Sequence, residues 1–186
     1  ELSNGGMATN LVRSAFKKSG FFVKEIEWNP WKRGYTLAQR GLYHATFPYG
    51  WTAERAELFH YSDAFFPTKN YAWSRIGQAN TLKIAEDLHR KVYCNPRGYG
   101  NFGIIKTLMD SNLLGRETPN NMQQCFKLLL AKRVDFVAAI SSDAVNALQE
   151  IGSSLEEVQQ SGFTITESPN YIIVSKQLPK AQEIVD

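Results

Sequence analysis

Arg40-Gly41-Leu42-Tyr43-His44-Ala45-Thr46-Phe47-Pro48-Tyr49-Gly50-Trp51-Thr52-Ala53-Glu54-Arg55 is the stretch that decides how this chain is read. Leu42 to Phe47 is apolar and aromatic enough for a strand, and Pro48-Tyr49-Gly50 is expected to break it. Thr52 can then cap a short helix running to about Phe59, which places Arg55 in its first turn. A cation is disfavoured there because the helix N-terminus is the positive end of the macrodipole. The placement makes sense if an anion is shared between the guanidinium and free backbone amides, since arginine offers a planar fork matched to a carboxylate. The competing reading is a surface ion pair with Glu54, Glu57 or Asp63, common in proteins and weak.

Outward from this stretch, helix and strand signals alternate. Upstream, Asn4-Gly5-Gly6 is a turn, Met7, Leu11, Ala15 and Phe16 recur at helical spacing, and Gly20 stops them. Phe21 to Trp28 reads as a strand. Asn29-Pro30 reads as a cap followed by proline at the first helical position, with the helix running to Arg40. Downstream, Phe65 to Arg75 is extended, and Thr81 to His89 is a short helix. Lys91 to Asn95 is a strand, a helix carries Ile104, Ile105, Leu108 and Met109 as far as Gly115, and a further helix holds Met122, Cys125, Phe126 and Leu129. Val134 to Ile140 is a strand, Ser142 and Ser154 can cap helices, Phe163 to Thr166 and Tyr171 to Ser175 are strands, and Pro179 opens a last helix. This alternation predicts an α/β protein with mostly parallel sheets flanked by helices. Leu37-Ala38-Gln39-Arg40 before one strand and Leu130-Ala131-Lys132-Arg133 before another suggest two similar lobes, with a boundary in Ile76-Gly77-Gln78-Ala79-Asn80.

A second loop repeats the chemistry. In Arg97-Gly98-Tyr99-Gly100-Asn101 the glycines let amides point into a cleft ahead of a helix and Arg97 adds charge, although a plain strand-to-helix connection reads the same way. Trp31, Tyr49 and Tyr99 stand at element ends and are candidate pocket walls, whereas Phe47 and Trp28, on expected strands, read as core.

Composition narrows the function classes. The 186 residues are 43% hydrophobic and 21% charged, with a formal charge of +3, which is globular and offers no concentrated basic stripe for nucleic acid. Neither a membrane-length apolar run nor a signal peptide is visible. The three histidines and two cysteines lack metal-ligand spacing, no cofactor motif is present, and no GxSxG, HExxH or cysteine-nucleophile signature points to catalysis. Cys94 and Cys125 could bridge in an oxidising compartment, but one reads as a strand residue and the other as a buried helix residue, which favours two separately packed thiols.

The motifs resemble those of the family 3 extracellular solute-binding proteins. Asn29-Pro30-Trp31-Lys32-Arg33, Phe47-Pro48-Tyr49, Thr52-Ala53-Glu54-Arg55, Phe59-His60-Tyr61-Ser62-Asp63, Leu130 to Asp135 and Tyr171 to Lys176 are similar to the branch with PWKR and FPY patterns. The resemblance implies a type II periplasmic-binding-protein-like fold of two lobes, 1–76 with 172–186 and 80–170, lacking the family's N-terminal strand and C-terminal helices. It implies a monomeric, exported (periplasmic or extracellular) subunit that captures an amino acid or related carboxylate by hinge closure and delivers it to the membrane permease of an ABC importer. Arg55 would hold the carboxylate with Gly50, Thr52, Tyr49 and Trp31 around it, and Gly98, Tyr99, Gly100 and Asn101 would contribute from the second lobe. Where many members carry an aspartate for the ammonium this chain has Ile140, and where they carry serines it has Phe47-Pro48-Tyr49. A solute with a carboxylate and a more apolar body is therefore as compatible as an α-amino acid. The same fold also serves dehydratase-like enzymes, for which Asp143 or Glu54 would be the acid or base, and ligand-sensing domains of larger receptors.

Overall fold

The computed structural model describes residues 5–77 and 82–186. The chain divides into two compact units, Glu1–Phe65 with Asn170–Asp186, and Phe66–Pro169. The first changeover thus precedes Ile76–Asn80, where the sequence suggested it. Gln78 to Thr81 lie outside the described residues, as does Asn4 of the expected first turn. The strand Phe66–Arg75 counts with the second unit because it pairs there.

The first unit holds helix α1 (Gly6–Lys18), α2 (Trp31–Gln39), strand β1 (Thr46–Tyr49), α3 (Ala53–Leu58), β2 (Phe59–Tyr61), the end of β7 (Val158–Ser175) and α7 (Ala181–Val185). Both β1 and β2 pair antiparallel with that end of β7, Thr46 opposite Ile173 and Tyr61 also opposite Ile173. The mostly parallel sheet expected for this half is therefore not what forms. Strands β1 and β2 flank the end of β7 and run parallel to each other across α3, and the strand between them comes from the far end of the chain in the opposite direction. The core is small and aromatic. Ala38, Tyr49, Phe59 and Ile173 are buried together, with Trp31, Tyr35, Tyr43, Tyr61 and Tyr171 packed against them.

Several local readings fail in this unit, one of them because a side chain finds a distant partner. Pro48 does not end the strand; it sits within β1 after a cis Phe47–Pro48 peptide, at an irregularity in the register with β7. Asn29 is not the cap of α2: its amide donates to the Tyr43 hydroxyl, and Pro30 occupies the capping position. Phe21 to Trp28 form no strand, for none pairs with them among the described residues, and Trp28 is 67% exposed rather than core. Phe47 is only half-buried.

The second unit is built on β3 (Phe66–Arg75), β4 (Val92–Cys94), β5 (Gly115–Glu117), β6 (Phe136–Ala139) and the first part of β7, in the order β7-β3-β6-β4-β5. Here β4 runs parallel to both β5 and β6, while β3 is antiparallel to β6. Strand periodicity splits the core in two. Trp73, Cys94 and Val137 face α5 (Met122–Leu130) and α6 (Ser141–Glu150), and Ala72, Tyr93 and Phe136 face α4 (Gly103–Asp110). All four residues of β6 are buried, as a strand covered on both faces requires.

Two helix boundaries and one pair of strands differ from expectation. Asp110 ends α4, and Gly115 opens β5 instead of closing the helix. Ile140, not Ser142, is the capping position of α6. Phe163 to Thr166 and Tyr171 to Ser175 belong to one long strand, β7. Cys94 and Cys125 are bonded to each other, with Cα atoms 5.4 Å apart. The expectation of separate thiols fails because α5 packs directly on β4, which brings a strand residue and a helix residue face to face.

Candidate functional site

In the first unit the residues singled out from the sequence gather around one guanidinium. Thr52 is extended and its hydroxyl accepts the Arg55 backbone N–H at 3.2 Å, the cap expected from the sequence. The Arg55 side chain turns back over the strand end, and Nη1 donates to the Gly50 carbonyl at 3.0 Å. Its Cζ lies 5.2 Å from the centre of the Tyr49 ring and 5.9 Å from that of Tyr35, so two aromatic faces hold the cation. Tyr49 is itself braced by Trp31, ring centres 4.6 Å apart.

This geometry changes two roles. Tyr49 is 2% exposed and cannot form an open pocket wall; it is the floor beneath Arg55. Burial pushes its hydroxyl up to about 12, so it stays protonated. Helix α3 has six residues, so its dipole is small and the fixed positive charge of this corner is the guanidinium itself. The competing surface ion pair does not form: among the described residues no carboxylate is within salt-bridge distance of Arg55, and Glu54, Glu57 and Asp63 are not its partners.

Sequence reading missed Tyr35 and Tyr61. Tyr35 lies on α2 one turn beyond Trp31, and that spacing was the available signal. Tyr61 arrives through the β2–β7 pairing, which sets its ring edge-on to Tyr171 at 5.3 Å. The Tyr61 hydroxyl is buried beside the Thr52 backbone, short of a well-aligned hydrogen bond, and burial raises its pKa.

In the second unit the Arg97–Asn101 loop does not open the helix directly. Phe102 is the capping position and α4 begins at Gly103, so the amides of 97–101 are not those of the helix's first turn. Gly98 has φ +91°, which only glycine adopts freely. Arg97 is exposed and its N–H donates to the Pro119 carbonyl at 2.8 Å. Asn95 is 6% exposed and its amide donates to the Gly100 carbonyl at 3.3 Å. Tyr93, fully buried, donates its hydroxyl to Asn101 Oδ1, and burial pushes that hydroxyl up to about 12. Tyr99 is half-buried and packs against the core on the α5 side.

The acid and base candidates, Glu54 and Asp143, differ in exposure. Glu54 is exposed. Asp143 sits partly buried in the first turn of α6, and burial pushes its carboxyl up to about 6. Among the described residues no group of three or more His, Cys, Asp and Glu side chains could hold a metal, and no helix is long and apolar enough to cross a membrane.

No protein-family model and no curated protein matches the sequence. Solved structures do match. An ancestral arginine-binding protein bound to arginine superposes with a TM-score of 0.75 at 21% identity, covering 94% of this chain and 76% of its own. The ligand-binding core of GluR0 from Nostoc punctiforme, in complex with L-glutamate, gives 0.73 at 21% identity, covering 98% and 83%. The substrate-binding protein of an amino acid ABC transporter gives 0.72 at 16% identity, covering 97% and 78%. The fold is that of the periplasmic-binding-protein-like α/β proteins. At these identities the likeness is one of architecture, and the chemistry of the site has to be argued from this chain's own residues.

Proposed function

We propose that this protein is a solute-binding protein of the family 3 type, which captures a small carboxylate-bearing solute and passes it to the permease of an ABC importer. The observation that carries the reading is Arg55. Its cation lies on the faces of Tyr49 and Tyr35 and donates to Gly50 O, and among the described residues no carboxylate is within salt-bridge distance of it. A half-buried guanidinium without an internal counter-ion is matched to an external one, and a carboxylate suits its fork. Trp31, Gly50 and Thr52 shape the same corner, and Gly98, Tyr99, Gly100 and Asn101 are the contacts we assign to the second unit. Capture by closure of the two units accounts for contacts supplied by both.

Binding, not catalysis, is the reading the neighbours support, since they are described as binding proteins bound to arginine or L-glutamate. The Cys94–Cys125 bond supports an exported location, because such bonds persist in oxidising compartments. We read the protein as a monomer in the periplasm or outside the cell. Calorimetry with a panel of amino and carboxylic acids tests the assignment. Arg55→Ala is expected to weaken binding by about 2–5 kcal/mol, as when one partner of a buried charge pair is lost. Unchanged affinity would remove Arg55 from the site.

A further inference from the structure

Within the second unit, three side chains hold three successive residues of the Arg97–Asn101 loop. Arg116 of β5 stands beside Tyr93 of β4 in a parallel register, its Cζ 5.7 Å from the centre of that ring. Its Nη2 donates to the Tyr99 carbonyl at 3.2 Å. Asn95, one residue past β4 and buried, donates its amide to the Gly100 carbonyl at 3.3 Å. The buried Tyr93 donates its hydroxyl to Asn101 Oδ1. All three bonds occupy acceptors of the loop and leave its donors over. In a trans peptide the N–H points opposite to the C=O, so the Tyr99 and Gly100 carbonyls, turned toward these donors, aim the Gly100 and Asn101 N–H groups away from them. Among the described residues neither N–H has an acceptor, and nor does Asn101 Nδ2. Both residues are only half-buried.

We propose that Tyr93, Asn95 and Arg116 are positioning residues that mask the acceptors of Tyr99, Gly100 and Asn101, so that this segment recognises a solute by its oxygen atoms and not by an ammonium. A carboxylate or carbonyl oxygen accepts from the N–H groups left over, whereas an ammonium has only donors to offer and meets donors. The local charge has the same sense, because among the described residues no carboxylate is within salt-bridge distance of Arg116. The inference rests on the solute-capture reading for the molecule that is met, and on the contacts of this unit alone for the donor face.

NMR titration of the full chain with acetate and with methylammonium tests this on the loop itself. Acetate is expected to shift the Gly100 and Asn101 N–H resonances saturably, and methylammonium to leave them in place. Tyr93→Phe, Asn95→Leu and Arg116→Lys each remove one hold and leave the net charge unchanged. Each is expected to weaken the acetate response about fivefold, the usual worth of one hydrogen bond, with the β6 amides unmoved. In Tyr93→Phe the freed Asn101 oxygen is also expected to respond to methylammonium. A variant that merely loosened the unit would not gain that response, and weakening without it overturns the masking role. An unmutated protein whose loop ignores acetate, or answers methylammonium, overturns the proposal whether or not the variants fold. An acetate response of unchanged strength in all three variants does so too. Acetate shifts in a protein that no acid of the calorimetric panel binds would remove the capture reading and leave the donor face standing.

Discussion

Arg55 and Arg116 are two solutions to one problem, a cation laid on a tyrosine face and tied to a backbone carbonyl in the loop it serves. What stands behind each differs. Arg55 rests on an aromatic core of Trp31, Tyr35 and Tyr49 and on a six-residue helix capped by Thr52. Arg116 stands beside a strand locked from its opposite face, where Cys94, next to Tyr93, is bonded to Cys125 of α5. The first arrangement depends on packing and one cap, the second on a covalent tie and a sheet register. The difference teaches where each should fail: the Arg116 corner through loss of unit stability, the Arg55 corner through local fraying.

The largest break in the comparison should come from the disulfide. It spans a sequence separation of 31 residues. Closing a loop of that size restricts the unfolded chain by about 3–4 kcal/mol on the entropic model. Replacing both cysteines by serine is expected to lower stability in denaturant titration by about that amount, and reduction of the unmutated protein should do the same. A loss well under 1 kcal/mol would show that α5 and β4 hold the second unit without the bond.

The bond was also the feature least legible in the sequence, and the reason is physical. Cys94 and Cys125 were assigned correctly to a strand and a helix, but periodicity says which face of an element is buried and not which element covers it. The same limit hid Tyr61, delivered by β2–β7 pairing, and Arg116, delivered by β4–β5 pairing. Near-neighbour chemistry fared better. Thr52 and Arg55 needed only a three-residue reading, and the structure shows that cap. Asn29-Pro30 looked just as local, yet Asn29 is drawn off by Tyr43, fourteen positions away. Pro48 was expected to break the strand, yet it lies within β1 at an irregularity in the pairing with β7, which nothing in the near-neighbour sequence signals.

Asp143 gives a smaller effect, with a pH window that marks the second unit. Burial raises its carboxyl from 3.8 to about 6, overriding the preference of a helix's first turn for an anion. Because the folded pKa is the higher one, the folded state binds more protons between about pH 4 and 6, and stability falls as pH rises through that window. Above it the ionised carboxylate costs about 3 kcal/mol, the free-energy equivalent of a shift of about two units. Asp143→Asn is expected to stabilise the protein at pH 7.5 by up to about that amount and to flatten stability between pH 4 and 6. A pH profile identical to that of the unmutated protein would place the burdened carboxylate elsewhere.

Thr52→Ala is the mildest intervention and the one that isolates the Arg55 corner. The hydroxyl accepts the Arg55 N–H, so its loss should cost about 1 kcal/mol of stability, the usual value for a helix cap. In a six-residue helix that loss falls on the residue carrying the guanidinium, because Arg55 is itself the capped position. Affinity for a monocarboxylate should therefore fall a few-fold, in proportion to the lost cap. Thr52→Ser retains the acceptor and should restore both stability and affinity, whereas Thr52→Val keeps the shape and should restore neither. If the serine variant binds as poorly as the alanine one, the threonine methyl and not its hydroxyl is what holds Arg55, and the cap is not what organises this corner.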